Sequence, residues 1–146
     1  EPTTIDAAVE ALHADPDAPM ATIASPIVNA EDFQNPNIVK VVLDPCGRAL
    51  YFSRAAIPAD RDGAGSKALA QPLRHVGLYA YERAFLPRFL AWAATPLETT
   101  ECLEQLRVLE HGCPIAVAIC PSSSEGIDTP EQYTAFVNRT RAADPA

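Results

Sequence analysis

The chain contains no apolar run near the ~20 residues that a membrane-spanning helix requires, and no Lys/Arg-led apolar segment opens it. Neither a spanning helix nor a secretory leader is therefore expected. It also lacks any C-x-x-C pair. Cys46, Cys102, Cys113 and Cys120 have no framework spacing and read as free thiols in a reducing cytosol, with a Cys113–Cys120 disulfide as the alternative. His13, His75 and His111 lie far apart with no metal-ligand spacing to cysteine, which argues against a structural zinc. No G-x-G-x-x-G and no G-x-x-x-x-G-K-[ST] occurs, so the two common phosphate-cradling loops are excluded. A triad of Ser53, His75 and Asp128 has no nucleophile-elbow motif behind it and is discounted. Cations are scarce as well: 11 Lys+Arg stand against 19 Asp+Glu, a formal charge of −8. That balance excludes sequence-wide attraction to nucleic acid or to an anionic membrane. The opening Glu1-Pro2-Thr3-Thr4 has no initiator Met, which predicts a start internal to something longer.

What is present suits one globular domain. With 146 residues, 48% of them hydrophobic, the chain is long enough to bury roughly 70% of its unfolded surface without disulfides or a metal. Ile5, Ala8, Val9 and Leu12 recur at helical spacing and predict an amphipathic helix over residues 4–13. Residues 20–24 read as a strand, followed by a polar stretch rich in Asn and Pro. A hairpin is expected from residues 39–43, the turn Asp44-Pro45-Cys46-Gly47 and residues 48–53. Residues 58–72, with two prolines and two glycines, read as a functional loop, and residues 74–81 as a strand. A helix through Phe85, Leu86, Phe89 and Leu90 follows, with Pro87 in its first turn.

Thr95-Pro96-Leu97-Glu98 and Thr129-Pro130-Glu131-Gln132 each place a cap hydroxyl, a proline and a third-position acceptor at a helix start. The first of these helices is expected to bury Cys102, Leu103, Leu106 and Leu109 and to stop at Gly112. The last is expected to bury Tyr133, Phe136, Val137 and Thr140. Between them residues 115–119 form a short apolar run that suits a strand covered on both faces. Helices alternating with strands in this way predict a three-layer α/β protein.

Charge is unevenly placed. Residues 48–88 hold seven basic residues, Arg48, Arg54, Arg61, Lys67, Arg74, Arg83 and Arg88, against Asp60, Asp62 and Glu82, a net +4 that leaves −12 for the remainder. A positive middle in a negative protein suits capture of a small anion; solvated surface arginines are the alternative. Asp128, in Gly126-Ile127-Asp128-Thr129-Pro130, reads either as a helix-terminus carboxylate or as a hard-cation ligand.

Seven segments then occur in order: Asn35-Pro-Asn-Ile-Val-Lys-Val-Val42, Ala49-Leu-Tyr-Phe-Ser-Arg54, Ile57-Pro58 with Asp60-Arg61-Asp62, Leu73-Arg-His-Val-Gly-Leu-Tyr-Ala-Tyr81, Pro96-Leu-Glu98, Leu103-Glu-Gln-Leu-Arg-Val-Leu109 and Gly126-Ile-Asp-Thr-Pro-Glu131. Over nearly the whole chain this set resembles the 3-deoxy-manno-octulosonate cytidylyltransferase (CMP-Kdo synthetase) family. The resemblance implies an α/β fold, a three-layer nucleotide-diphospho-sugar-transferase-like (Rossmann-like) mixed sheet truncated on its N-terminal side. It implies transfer of CMP from CTP to 3-deoxy-manno-octulosonate (Kdo), releasing pyrophosphate, with Mg2+, in a cytoplasmic homodimer serving lipopolysaccharide synthesis. The family's sugar-binding positions fall on Arg54, His75, Tyr79, Glu104 and Gln105, with Arg61 close by, and its second metal aspartate falls on Asp128. The loop and the Gln-Gly-Asp that build the family's nucleotide site precede the Glu1-Pro2 of this chain. Two expectations follow: the sugar-binding and dimerisation portion of an enzyme, or a non-catalytic module that binds an acidic sugar or a subunit. A sheet edge and an apolar face are expected to lie uncovered.

Overall fold

The computed structural model describes residues 2–60, 71–121, 133–134 and 137–138. Its first helix, α1 (Pro2–Ala14), covers the predicted span, but its apolar stripe is used unequally. Ala8 is buried, whereas Ile5 and Val9 remain 55% and 40% exposed. The helix meets the sheet through small side chains: Ala18, Ala21 and Ala116 are buried on that face, with Ala11, Leu12 and Ala80 packed against them. Alanine lets a helix backbone approach a sheet closely, and the longer side chains at the rim of the stripe are left outside.

The sheet has five strands in the order β3-β2-β4-β1-β5. Strand β1 (Met20–Pro26) runs parallel to β5 (Ile115–Ile119) and antiparallel to β4 (Leu73–Tyr81). The expected hairpin is β2 (Lys40–Leu43) with β3 (Ala49–Ser53). Its turn closes because the Asp44 carboxylate accepts from the amides of Cys46 (2.8 Å) and Arg48 (2.9 Å), while Gly47 takes φ +82°. On the face opposite α1, Met20, Ala24, Val41, Phe52, Ile115 and Val117 pack with Phe85, Phe89, Leu103, Leu106 and Val108, which lie on or beside helices α3 (Phe85–Ala91) and α5 (Gln105–Glu110). Helices thus cover both faces of the sheet, which gives the three layers expected from the sequence.

Three local expectations are corrected. Within the polar stretch after β1 lies a short helix, α2 (Ala30–Gln34), capped by Asn29, whose Oδ1 accepts from the Asp32 amide at 2.7 Å. The single helix expected after Thr95 is two: α4 (Pro96–Glu101) and α5, separated by Cys102 in the left-handed conformation, φ +53°. Cys102 is therefore exposed rather than buried. The cause of the break lies on another strand: the guanidinium of Arg54 occupies the carbonyls of Glu101 (2.7 Å) and Cys102 (3.4 Å) at the end of α4. Finally, β5 is buried over its first three residues only, and Ile119 is 55% exposed. The expected last helix lies mostly outside the described residues. Tyr133, Thr134, Val137 and Asn138 are helical, with Tyr133 exposed; Phe136 and Thr140 fall outside the description, as does most of the loop expected over 58–72.

Two arginines clamp the frame. Arg48 donates to Asp15 from both Nε and Nη2 (2.6 Å each) and to Asp17 (3.1 Å), tying the hairpin to the α1–β1 turn. Arg107 of α5 forks onto the Glu98 carboxylate of α4 and places its guanidinium 4.9 Å from the centroid of the Phe89 ring. The N-terminus of α4 is closed by a neighbour, because Glu110 accepts from the amides of Leu97 (3.1 Å) and Glu98 (3.3 Å).

Strand β4 holds the sheet's open position. It is nine residues long, and all of them but the exposed Gly77 are half-buried. Along β1 it is paired at every residue except Gly77 and Leu78, but toward β2 it is paired only at Leu73 and Arg74, and His75 donates its amide to Val39 O at 2.8 Å. The rest of that edge, from Val76 to Tyr81, carries no further ladder among the described residues.

Candidate functional site

The site is built where β4 passes the α4–α5 junction. Leu106 and Val108 are buried in the core, which seats α5 against the sheet beside β3. Glu104 is exposed and Gln105 is buried at 3%. Among the described residues the Gln105 Nε2 amide has no hydrogen-bond partner, and a sealed donor left unpaired costs roughly 1–3 kcal/mol. Such a group is what a bound acceptor, or an ordered water in its place, would satisfy.

Along β4 the rings form a continuous row. Phe52 meets His75 edge-on at 4.9 Å, His75 lies 5.4 Å from Tyr79, and Tyr79 lies 6.0 Å from Tyr81. Burial holds the His75 imidazole neutral, with its pKa depressed to about 4. Burial first, then the neighbouring Tyr81 and Glu104, push the Tyr79 hydroxyl above its usual range. Tyr81 is raised by burial and by the same Glu104 carboxylate. Glu104 therefore bears on both tyrosines. Tyr79 and Tyr81 present neutral hydroxyls beside a carboxylate, a set that can donate to and accept from sugar hydroxyls.

Arg54 stands at the end of β3, and its guanidinium is largely committed to backbone. Nε donates to Glu101 O, Nη1 to Pro36 O (3.2 Å) and Nη2 to Cys102 O. Behind it lies a polar network that the sequence reading missed. The Glu101 carboxylate accepts from Ser53 Oγ (2.7 Å) and Arg54 N (2.9 Å). Burial alone would raise its pKa, but these bonds bring the net shift below the ordinary value. Lys40 is fully buried and its Nζ donates to Asn35 O (2.9 Å), Ile38 O (2.6 Å) and Arg54 O (2.7 Å), so all three of its hydrogens are used. A lone Lys in the run Val39-Lys40-Val41-Val42 was the available signal, since a strand otherwise apolar seldom buries a cation without purpose.

Of the seven residues singled out from sequence, five lie in this region: Arg54, His75, Tyr79, Glu104 and Gln105. Arg61 and Asp128 lie outside the described residues. Among the positive middle, Arg48 is consumed by Asp15 and Asp17, and Arg74 donates to Ser25 Oγ at 2.8 Å. A separate cleft of about 290 Å³ is lined by Ser25, Ile27, Asp32, Arg74 and Pro121, and none of the five lines it.

The cytidylyltransferase family model matches residues 1–119. The chain belongs to that family. A 3-deoxy-manno-octulosonate cytidylyltransferase of Syntrophobacter fumaroxidans is 52% identical over 133 residues, which are 91% of this chain and 52% of that protein. One from Herminiimonas arsenicoxydans is 54% identical, over 79% of this chain and 48% of its own length. Among solved structures, CMP:2-keto-3-deoxy-manno-octonic acid synthetase complexed with CTP superposes with a TM-score of 0.83 at 34% identity, covering 98% of this chain and 56% of that one. This cytidylyltransferase chain thus spans about half the length of the curated relatives it matches, and its mixed α/β sheet is that of a nucleotidyltransferase. Among its described residues no helix is long and apolar enough to cross a membrane. Nor do the described residues hold a group of three or more His, Cys, Asp or Glu set to bind a metal ion.

Proposed function

We propose that this chain forms the sugar-acid half of a CTP:3-deoxy-manno-octulosonate cytidylyltransferase, holding the eight-carbon sugar acid while its anomeric hydroxyl receives CMP and pyrophosphate leaves. The observation that carries the reading is the Gln105 amide, buried and without a partner among the described residues, next in sequence to Glu104, whose carboxylate bears on the Tyr79 and Tyr81 hydroxyls. Glu104 would accept from sugar hydroxyls and Gln105 would donate to a sugar oxygen. Arg54, with two guanidinium hydrogens beyond its three carbonyl bonds, would meet the sugar carboxylate, joined by Arg61. Chemistry of this type needs positioning more than proton transfer. Asp128 would help hold Mg2+, which supplies charge neutralisation at the triphosphate. The edge of β4 from Val76 to Tyr81, without a ladder partner among the described residues, would offer the position for a strand from the portion of the relatives that this chain does not span. We read the complete enzyme as a cytoplasmic homodimer feeding lipopolysaccharide synthesis.

The half-length span favours a second reading, a module that binds an acidic sugar without turnover. Neighbouring sequence carrying the Arg/Lys nucleotide loop and Gln-Gly-Asp would decide against it. The sugar-acid reading is tested by calorimetric titration of the chain with 3-deoxy-manno-octulosonate. Gln105→Met, of similar volume and with no donor to strand, is expected to stabilise the free protein by about 1 kcal/mol and to weaken sugar-acid binding about tenfold or more. Unchanged affinity in that variant would remove Gln105 from the site.

A further inference from the structure

Strand β4 departs from regular pairing at one place. Thr22 pairs with Tyr79 but the next residue, Ile23, pairs with Val76, so Gly77 and Leu78 bulge out of the ladder with β1. Thr22 is fully buried, and its hydroxyl oxygen lies 2.8 Å from Leu78 O, 3.3 Å from Val76 O and 2.9 Å from His75 Nε2. The hydroxyl carries one hydrogen, and a carbonyl oxygen cannot donate. If that hydrogen went to the imidazole, Leu78 O would face a second oxygen at 2.8 Å with no proton between them. The hydrogen therefore goes to a bulge carbonyl, and His75 Nε2 is the donor to Thr22.

From this arrangement we infer that Thr22, buried in β1 and out of reach of any ligand, is a positioning residue that fixes His75 in the Nε2–H tautomer and so leaves Nδ1 as a hydrogen-bond acceptor toward the sugar-acid site. Among the described residues Nδ1 has no partner. Edge contact with Phe52 and the tilted Tyr79 ring keep the imidazole from turning over. A neutral acceptor does not attract a carboxylate; it takes the hydrogen of a hydroxyl. His75 thus selects a substrate hydroxyl, and the anionic end of the ligand falls to the arginines.

The inference rests on the sugar-acid reading of this site, but its first test needs no ligand. Imidazole 15N spectra of the 146-residue chain are expected to show His75 as the Nε2–H tautomer throughout pH 6–8. An Nδ1–H signature in the unsubstituted protein would overturn the assignment, whatever the behaviour of any variant. Thr22→Val, which keeps shape and removes the hydroxyl, is expected to yield a mixture of tautomers and to weaken 3-deoxy-manno-octulosonate binding by about tenfold. Thr22→Ser is expected to restore both the tautomer and the affinity to within about threefold. A Thr22→Val protein that keeps the pure Nε2–H form overturns Thr22 as its cause. A tautomer that mixes while sugar-acid affinity stays unchanged overturns the link to the ligand, and the sugar-acid role of His75 falls with it.

Discussion

His75 is the side chain on which site and stability meet. In the unfolded chain an imidazole titrates near 6.5, while in the fold burial depresses it to about 4. Between those values the unfolded state binds the proton and the folded state does not, so stability falls as pH drops through that window and is independent of this group above it. The full effect is up to about 3 kcal/mol at pH 4. Glu98, held below its ordinary value by Arg107, acts lower: its contribution is present above the usual carboxylate range and is lost as pH falls through its still lower folded value. Chemical denaturation at pH 7 and pH 5 therefore isolates the histidine. We expect a clear loss in the parent and a flatter profile in His75→Gln; a parent flat over that range would contradict a buried neutral imidazole.

At the scale of elements, the break between α4 and α5 is what presents Glu104 and Gln105, and its cause is distant in sequence. Arg54 holds the last carbonyls of α4, and Cys102 takes a left-handed backbone that costs a non-glycine residue roughly 1–2 kcal/mol. Cys102→Gly is expected to stabilise the fold by about 0.5–1 kcal/mol without loss of sugar-acid binding. Arg54→Lys keeps the charge but cannot fork across three carbonyls, so a loss of about 1–3 kcal/mol and weaker sugar-acid binding are expected together. Retention of both in the lysine variant would mean that only the charge of Arg54 matters. These elements also show what a sequence can reveal. The hairpin was legible because Asp44 and Gly47 make its turn locally, and α1 because its period is local. The α4–α5 break was not, since its determinant lies 48 residues away. Nor was the β4 bulge, which is pinned by a threonine of β1, although a single Thr inside Met20-Ala21-Thr22-Ile23-Ala24 was a usable sign of a buried hydroxyl. Helix α2 escaped because five residues carry too little periodicity to register.

For the molecule as a whole, the two faces of the sheet do different work. The alanine-rich face under α1 is a scaffold, while the face carrying Phe52, Tyr79, Leu106 and the α4–α5 junction brings five of the seven residues expected from sequence into one region. Within the net +4 segment, Arg48 serves the frame and Arg54 serves the helix break. The chain matches about half the length of relatives that are named for a complete reaction, and the part of β4 that carries no β2 ladder among the described residues adjoins the candidate site. The central claim is that sugar-acid recognition resides in this chain and nucleotide binding in the other half. Its most direct test is pyrophosphate release from CTP, 3-deoxy-manno-octulosonate and Mg2+, measured for the 146-residue chain and for the same chain joined to the remaining half of the Syntrophobacter relative. The joined protein is expected to turn over only when the sugar acid is present, and the chain alone not at all; turnover by the chain alone, or none by a folded joined protein, would contradict the account.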